Sequence, residues 1–319
     1  MNTMNTFPVY SKQELNNIKK ESIISLVVDS EFRERIDKTS ISDFTIQLPV
    51  PIHNVIKMKL SSMEIPNTTY LFHEENNTFT IQIKRTDIGT VDYEKIITIP
   101  EGNYTINELK EKINSILDYL ANDNDAENYT FAIMKFDYNK EKHKCYFSFK
   151  TNEEITQLYS TDPNPPTYDL ENYIYSIYFN ADKVICKREN NVKDILGYTE
   201  IKYETNNGSL YAENIFNMKS TPYYLLFVND YSTQGRENMI TSFDKRKIDL
   251  KHVLGRIIPK NETFEHTILD TSDDYDKQRD YMGPVNIDKL HIKLLDKWGN
   301  LVNLNNCNYS FVLEFTIIR

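Results

Sequence analysis

Ser310-Phe311-Val312-Leu313-Glu314-Phe315-Thr316-Ile317-Ile318-Arg319 places Phe311, Leu313, Phe315 and Ile317 at alternate positions, with Val312, Glu314 and Thr316 between them. A period of two puts the sets on opposite faces of a strand, so the chain is expected to finish inside a sheet. Just upstream, Leu290, Ile292 and Leu294 alternate with His291, Lys293 and Leu295, and Asp296-Lys297-Trp298-Gly299-Asn300 reads as the intervening turn. The other end of the chain carries the same pattern. Ile23 to Val28 is an apolar run of strand length, and Phe44-Thr45-Ile46-Gln47-Leu48 alternates strictly. Strands at both ends are expected to pair in one body. Pro49 and Pro51 are expected to end the Phe44 strand, because proline cannot donate to a ladder. From Val55 to Leu60 the pattern resumes, with Ile56, Met58 and Leu60 predicted on one face and Lys57 and Lys59 on the other. Glu64-Ile65-Pro66-Asn67 reads as a turn.

One helix is clear. Thr105-Ile106-Asn107-Glu108 is a capping box, and Leu109, Ile113, Ile116, Leu117 and Leu120 follow at helical spacing. Between 130 and 150, alternating aromatic segments flank Asp137 to Glu141, which reads as a hairpin tip. Strand-length segments recur at 174–179, 193–198, 223–228 and 255–258. Asp162-Pro163-Asn164-Pro165-Pro166 is the strongest break in the chain. The expected organisation is an N-terminal arm over 1–20 and a body over 21–319, the alternative being two β domains split near 162–166. Within the arm, Ser11 to Glu14 forms another capping box and opens a short helix carrying Leu15 and Ile18.

Composition bounds the function. With 319 residues the chain can bury a sizeable core without staples. Its 22 Tyr and 16 Phe against eight Gly lean toward β structure. A net charge of −10 disfavours a general grip on nucleic-acid phosphates. Three scattered Cys, at 145, 186 and 307, point to a reducing compartment. No apolar run approaches membrane-helix length, and the first residues do not read as a signal peptide.

Motifs for chemistry are missing. Nothing matches a phosphate-binding glycine loop, a nucleophile elbow or a zinc-protease helix. His143-Lys144-Cys145 is too small a set for zinc. Asp270, Ser272, Asp274 and Asp276 mimic a calcium loop but lack its glycine and closing glutamate, and read as a solvated acidic loop. Lys245-Arg246-Lys247 with Lys251 and His252 is the one basic cluster, expected to pair with the chain's own carboxylates. Seven glycosylation sequons, at Asn67, Asn76, Asn103, Asn128, Asn207, Asn261 and Asn308, read as chance matches in an Asn-rich chain. The expectation is therefore no enzyme, no cofactor and no metal.

Three stretches carry a resemblance. The first runs Val28-Asp29-Ser30-Glu31-Phe32-Arg33-Glu34-Arg35, then Ser42 to Leu48, then Val55 through Asn67 and Tyr70. The second is Gly102-Asn103-Tyr104-Thr105. The third is Arg279-Asp280-Tyr281-Met282-Gly283-Pro284-Val285, continuing through Lys289-Leu290, Leu294-Leu295-Asp296, Gly299 and Asn305-Asn306 to Tyr309-Ser310-Phe311. Together they resemble virion structural proteins of nucleocytoplasmic large (giant) DNA viruses, of the minor-capsid type. The resemblance implies a place in an icosahedral capsid, in virions assembled in the host cytoplasm, and no catalytic residues. Implied partners are other capsid proteins, including the major capsid protein, with a homo-oligomer possible and no specific nucleic acid expected.

The fold expected from pattern and resemblance is mostly β, a jelly-roll-like antiparallel β-sandwich with one packed helix at about 105–120 and a short N-terminal helical arm. Candidate partner contacts are Leu15 and Ile18 on the arm and the tyrosines Tyr175, Tyr178, Tyr203, Tyr211, Tyr223 and Tyr224, since tyrosine offers large amphipathic contacts. The expected function is a minor capsid or vertex protein. A particle-displayed attachment or glycan-binding protein is the alternative.

Overall fold

A computed structural model describes residues 20–34, 38–87, 91–120, 131–159, 169–179, 191–206, 208–219, 222–235, 252–259, 266–270 and 277–319. The chain forms two compact units, Met1–Thr69 with Thr221–Arg319, and Tyr70–Ser220. The second is thus an insertion between the two ends of the first. The expected helical arm and the proline-rich connector at 162–166 lie outside the described residues.

In the first unit a seven-stranded antiparallel sheet joins β1 (Glu21–Asp29), β2 (Asp43–Pro66), β10 (Tyr224–Asn229), β11 (Val253–Ile257), β12 (His266–Asp270), β13 (Gln278–Leu295) and β14 (Ser310–Ile318), numbered along the chain. The order is β1-β14-β2-β13-β10-β11, with β12 also paired to β2. The two ends of the chain meet as expected: β1 runs antiparallel to β14 in unbroken register from Glu21 opposite Ile318 to Asp29 opposite Ser310. β14 lies between β1 and β2. Its alternating set, Phe311, Leu313, Phe315 and Ile317, is buried in the main core of this unit.

β2 departs from its sequence reading. It is one strand of 24 residues that passes through Pro49 and Pro51 and reaches Pro66, so neither the predicted strand end nor the turn at Glu64 to Asn67 exists. Its partners explain why the prolines are tolerated. β14 pairs with β2 only from Val55 onward, and the β13 register jumps from Lys289 opposite Gln47 to Ile287 opposite Ile52. Pro49 and Pro51 therefore occupy positions that no ladder needs.

Further irregularities fall between Ile52 and Val55, Val55 and Lys57, and Leu60 and Ser62, each adding one residue to β2. Every inserted residue flips the parity of the buried face. The core set accordingly steps from Phe44, Leu48 and Ile52 to Val55, then to Met58 and Leu60, then to Met63 and Ile65. Asn54, at φ 57°, makes the first step. Ile56, predicted inward beside Met58, is the extra residue of the second and is only half-buried.

The second unit stacks two antiparallel sheets. One has the order β4-β3-β7-β8, from β3 (Thr78–Arg85), β4 (Val91–Thr98), β7 (Tyr173–Tyr178) and β8 (Lys202–Asn206). The other is β5-β6-β9, from β5 (Met134–Asn139), β6 (Lys144–Phe149) and β9 (Leu210–Tyr211). Rings from the two sheets meet, Phe79 with Phe147 at 5.4 Å and Phe149 with Tyr175 at 4.8 Å between centroids. The expected helix is α1 (Ile106–Tyr119), opened by the Thr105/Glu108 box and buried through Leu109, Ile113 and Leu117. Its Asn114 side chain exchanges two 2.8 Å hydrogen bonds with the Phe136 backbone and so occupies part of the open edge of β5.

Two short helices were not foreseen, α2 (Asn152–Leu158) and α3 (Val192–Leu196). The second replaces the strand predicted over 193–198. Asn191 caps it by accepting from the Asp194 amide, and Gly197 ends it in the left-handed region. A Cβ at Gly197 would stand 2.4 Å from the Asn214 carbonyl oxygen, so only glycine fits there. The chain is mostly β, with antiparallel sheets and few helices, as expected.

Deleting Phe311 to Arg319 removes the strand that β1 and β2 share. The expected result is loss of soluble, cooperatively melting protein, read by thermal denaturation followed by circular dichroism. A truncated protein with a native melting transition contradicts this strand assignment.

Candidate functional site

The tyrosines named from sequence do not form one cluster. Tyr175, Tyr178, Tyr203 and Tyr211 lie in the second unit, Tyr223 and Tyr224 in the first, and Leu15 and Ile18 fall outside the described residues. Tyr175 and Tyr224 are fully buried. The Tyr175 hydroxyl lies 2.8 Å from the Phe147 carbonyl and 2.7 Å from that of Gly208, and the Tyr224 hydroxyl lies 3.3 Å from Thr69 Oγ1. Both pack their cores and present no surface to a partner. Alternation groups residues by face but does not say which face is covered.

The other tyrosines reach the surface in different ways. Tyr203 is half-buried; its hydroxyl donates to Glu213 Oε2 at 2.7 Å and accepts from the amides of Thr199 at 3.0 Å and Glu200 at 2.8 Å. Burial works to raise the Glu213 pKa, but the hydrogen bonds from Tyr203 and from backbone amides outweigh it and hold the carboxyl below its ordinary range. Tyr203 is thus a stitch between β8 and the segment after β9. Tyr178 is half-buried beneath Lys202 Nζ, 5.2 Å from the ring centroid. Tyr211 is exposed and rests on Tyr146, its partner across β6 and β9, at 4.8 Å between centroids. Burial, and then Asp137, pushes the Tyr146 hydroxyl up to about 12.

A second aromatic surface sits on the far face of the seven-stranded sheet. Leu225, Val253 and Leu295 form a small cluster there, with Tyr223 and Phe227 against it. Cations decorate it: Arg256 lies 4.2 Å from the Tyr223 ring centroid and Lys293 5.8 Å from that of Phe227. His252 and His291 approach the Phe227 ring edge-on, and His291 Nε2 lies 2.6 Å from Asp43 Oδ1. Of this surface only Tyr223 was singled out from sequence. Its signal was the unbroken run Tyr223 to Val228, which has no polar face and so must be covered on both sides.

The most organised polar group is a buried triad that sequence reasoning missed. Arg279 Nη1 donates to Asp230 Oδ2 at 3.1 Å, Arg279 Nη2 donates to the His252 carbonyl at 3.0 Å, and the Tyr281 hydroxyl donates to the same Asp230 oxygen. All three side chains are buried, with Arg279 and Asp230 only 5% and 4% exposed. Burial, reinforced by the Asp230 charge, drives the Tyr281 hydroxyl far above its ordinary range and keeps it a neutral donor. Beside it, a Cβ on Gly235 would stand 2.9 Å from Arg279 Cδ, and the Met282 amide donates to the Gln234 carbonyl at 3.0 Å. The triad ties residues 230–235 and the start of β11 to β13. Its donors and acceptors are matched to one another, which makes it a structural clasp.

Among the described residues no three or more His, Cys, Asp or Glu groups stand close enough to hold a metal. Cys145 is buried, and desolvation, then Asp137, pushes its thiol up to about 12, far from a reactive thiolate. His143 sits against the Phe216 ring at 5.8 Å. Asp270 belongs to β12, while residues 271–276 and the basic residues 245–247 and 251 lie outside the described set. No helix of the described residues is long and apolar enough to cross a membrane.

The sequence model of a family described as "Family of unknown function (DUF5901)" matches residues 13–248. No curated protein matches the chain. Among solved structures, the selenomethionine-labelled penton protein of mavirus is similar over 93% of this chain and 99% of its own, at 9% sequence identity and a TM-score of 0.46.

The clasp and the surface tyrosines should separate cleanly in urea denaturation. Arg279→Ala strands the buried Asp230 charge and is expected to cost about 3–5 kcal/mol. Tyr175→Ala is expected to cost about 3–5 kcal/mol, as for other large aromatic truncations in a core. Tyr211→Ala should stay within about 0.5 kcal/mol, the range of ordinary surface changes.

Proposed function

The chain belongs to the family of unknown function DUF5901, and on that premise we propose that it is a structural component of a large DNA virus capsid, a minor capsid or vertex protein that acts through protein–protein contacts. Its partners are other capsid proteins, the major capsid protein among them, in virions assembled in the host cytoplasm. One observation carries the reading. The first and third stretches that resemble giant-virus virion proteins, Val28 to Tyr70 and Arg279 to Phe311, come from opposite ends of the sequence yet contribute to neighbouring strands β2, β13 and β14 of one sheet. The likeness therefore follows one scaffold and not scattered fragments. Three features support a role in being held by neighbours: two β cores, exposed apolar side chains such as Ile23, Val27 and Phe32, and aromatic–cation pairs on strand faces.

The test is fractionation of purified particles. The chain should co-purify with virions in fixed ratio to the major capsid protein, resist detergent that strips membrane proteins, and cross-link to capsid neighbours identified by mass spectrometry. Recovery only in the soluble fraction of infected cells, never in particles, overturns the proposal.

A further inference from the structure

Every open sheet must keep its outer strands from pairing with the wrong chain, and this protein guards its edges unequally. β4 carries Glu94 and Lys95, β5 carries Lys135 and Asp137, β8 carries Lys202 and Glu204, and β11 carries Gly255 and Arg256. The half of β2 left open by β14 carries Pro49 and Pro51. β9 and β12 are only two and five residues long. β1 has none of these devices. Between Glu21 and Asp29 it reads Ser-Ile-Ile-Ser-Leu-Val-Val, with no charge, proline, glycine or bulge, and among the described residues it is paired on one side only.

The hydrogen-bond phase fixes what that free side offers. Arg319 N donates to the Lys20 carbonyl at 3.1 Å and Ser30 N donates to the Tyr309 carbonyl at 3.0 Å, and the register between these two pairs is unbroken. In an antiparallel ladder alternate residues share the same bonding direction. The even-numbered residues of β1 therefore bond β14, and the peptide groups of Glu21, Ile23, Ser25, Val27 and Asp29 aim outward. Their side chains share one face, on which Ile23 is 65% and Val27 71% exposed, while Val28 on the other face is buried.

Charge decides the occupant. In the self-pairing register that uses all nine residues, centred on Ser25, Glu21 of each copy would stand opposite Asp29 of the other, so like charges would meet twice. A strand with basic residues at those two places would instead form two opposite-charge pairs. We propose that the free edge of β1 accepts, as an eighth antiparallel strand, an extended segment of a different polypeptide. That segment has Lys or Arg eight residues apart, facing Asp29 and Glu21, and apolar side chains facing Val27 and Ile23. Main-chain bonds supply the affinity and the alternate side chains the selectivity, as in other strand-addition complexes. The inference rests on the capsid reading only in taking the partner to be a protein of the same particle; the strand chemistry is tested without it.

The probe is a fluorescein-labelled peptide, RTVTSTITR, titrated with the full chain and read by fluorescence anisotropy. Saturable binding is expected, with at least tenfold weaker binding of ETVTSTITE. Glu21→Lys with Asp29→Lys should invert that preference. Ser25→Pro removes an outward amide without taking a bond from β14, and should abolish binding while leaving the melting transition in place. Should that variant fail to fold, the charge inversion alone decides. No binding, equal binding of both peptides, or a preference untouched by the charge swap overturns the proposal, as does a sedimenting dimer that Ser25→Pro dissolves. Failure here leaves particle incorporation standing, and failure of incorporation leaves a peptide result standing, so the two readings fall separately.

Discussion

Everything in the first unit depends on one nine-residue ladder, the pairing of β1 with β14. It joins residues nearly the whole length of the chain apart, and it leaves β14 hydrogen-bonded on both edges while its alternate face fills the core. Contacts this distant in sequence carry a large closure cost before they return anything. The chain leaves this unit after β2 for the 70–220 insertion and returns to it at β10.

Within that frame the long strands β2 and β13 are regular only in pieces. A strand of 24 residues with strict alternation keeps one face inward throughout; three single-residue insertions let β2 change the inward parity and keep an apolar side chain buried at each step. A separate jump in the β13 register, from Gln47 to Ile52, leaves the gap in pairing where Pro49 and Pro51 sit. Prolines that look like strand breakers thus mark where the ladder is already interrupted.

The polar groups follow the same economy. Arg279, Asp230 and Tyr281 are costly to bury separately, and each is satisfied by the others and by the His252 carbonyl. Such a clasp defines which segment packs where, a role that an apolar contact performs with less discrimination. Tyr175, Tyr198 and Tyr203 act similarly in the second unit: Tyr175 and Tyr198 send buried hydroxyls to backbone carbonyls, and the half-buried Tyr203 bonds the Glu213 carboxylate and two amides. These three tyrosines are therefore internal mortar.

Sequence by itself determined what depends on near neighbours. Alternation in Ser310 to Arg319 and Phe44 to Leu48 and the apolar run at Ile23 to Val28 marked strands, the Thr105/Glu108 box and its apolar stripe marked α1, and the mostly-β, antiparallel character followed. Asn191 and Gly197 carried the cap signals of a short helix that the strand reading overrode. Tertiary structure alone decided where β2 gains its extra residues, which tyrosines are covered, how Arg279 finds Asp230 across 49 positions, and which strand keeps a bare edge. The reason is physical: a side chain's periodicity is set by its own backbone, whereas burial, bulge position and ion pairing are properties of whichever strand lies alongside, and that neighbour is chosen by the whole chain.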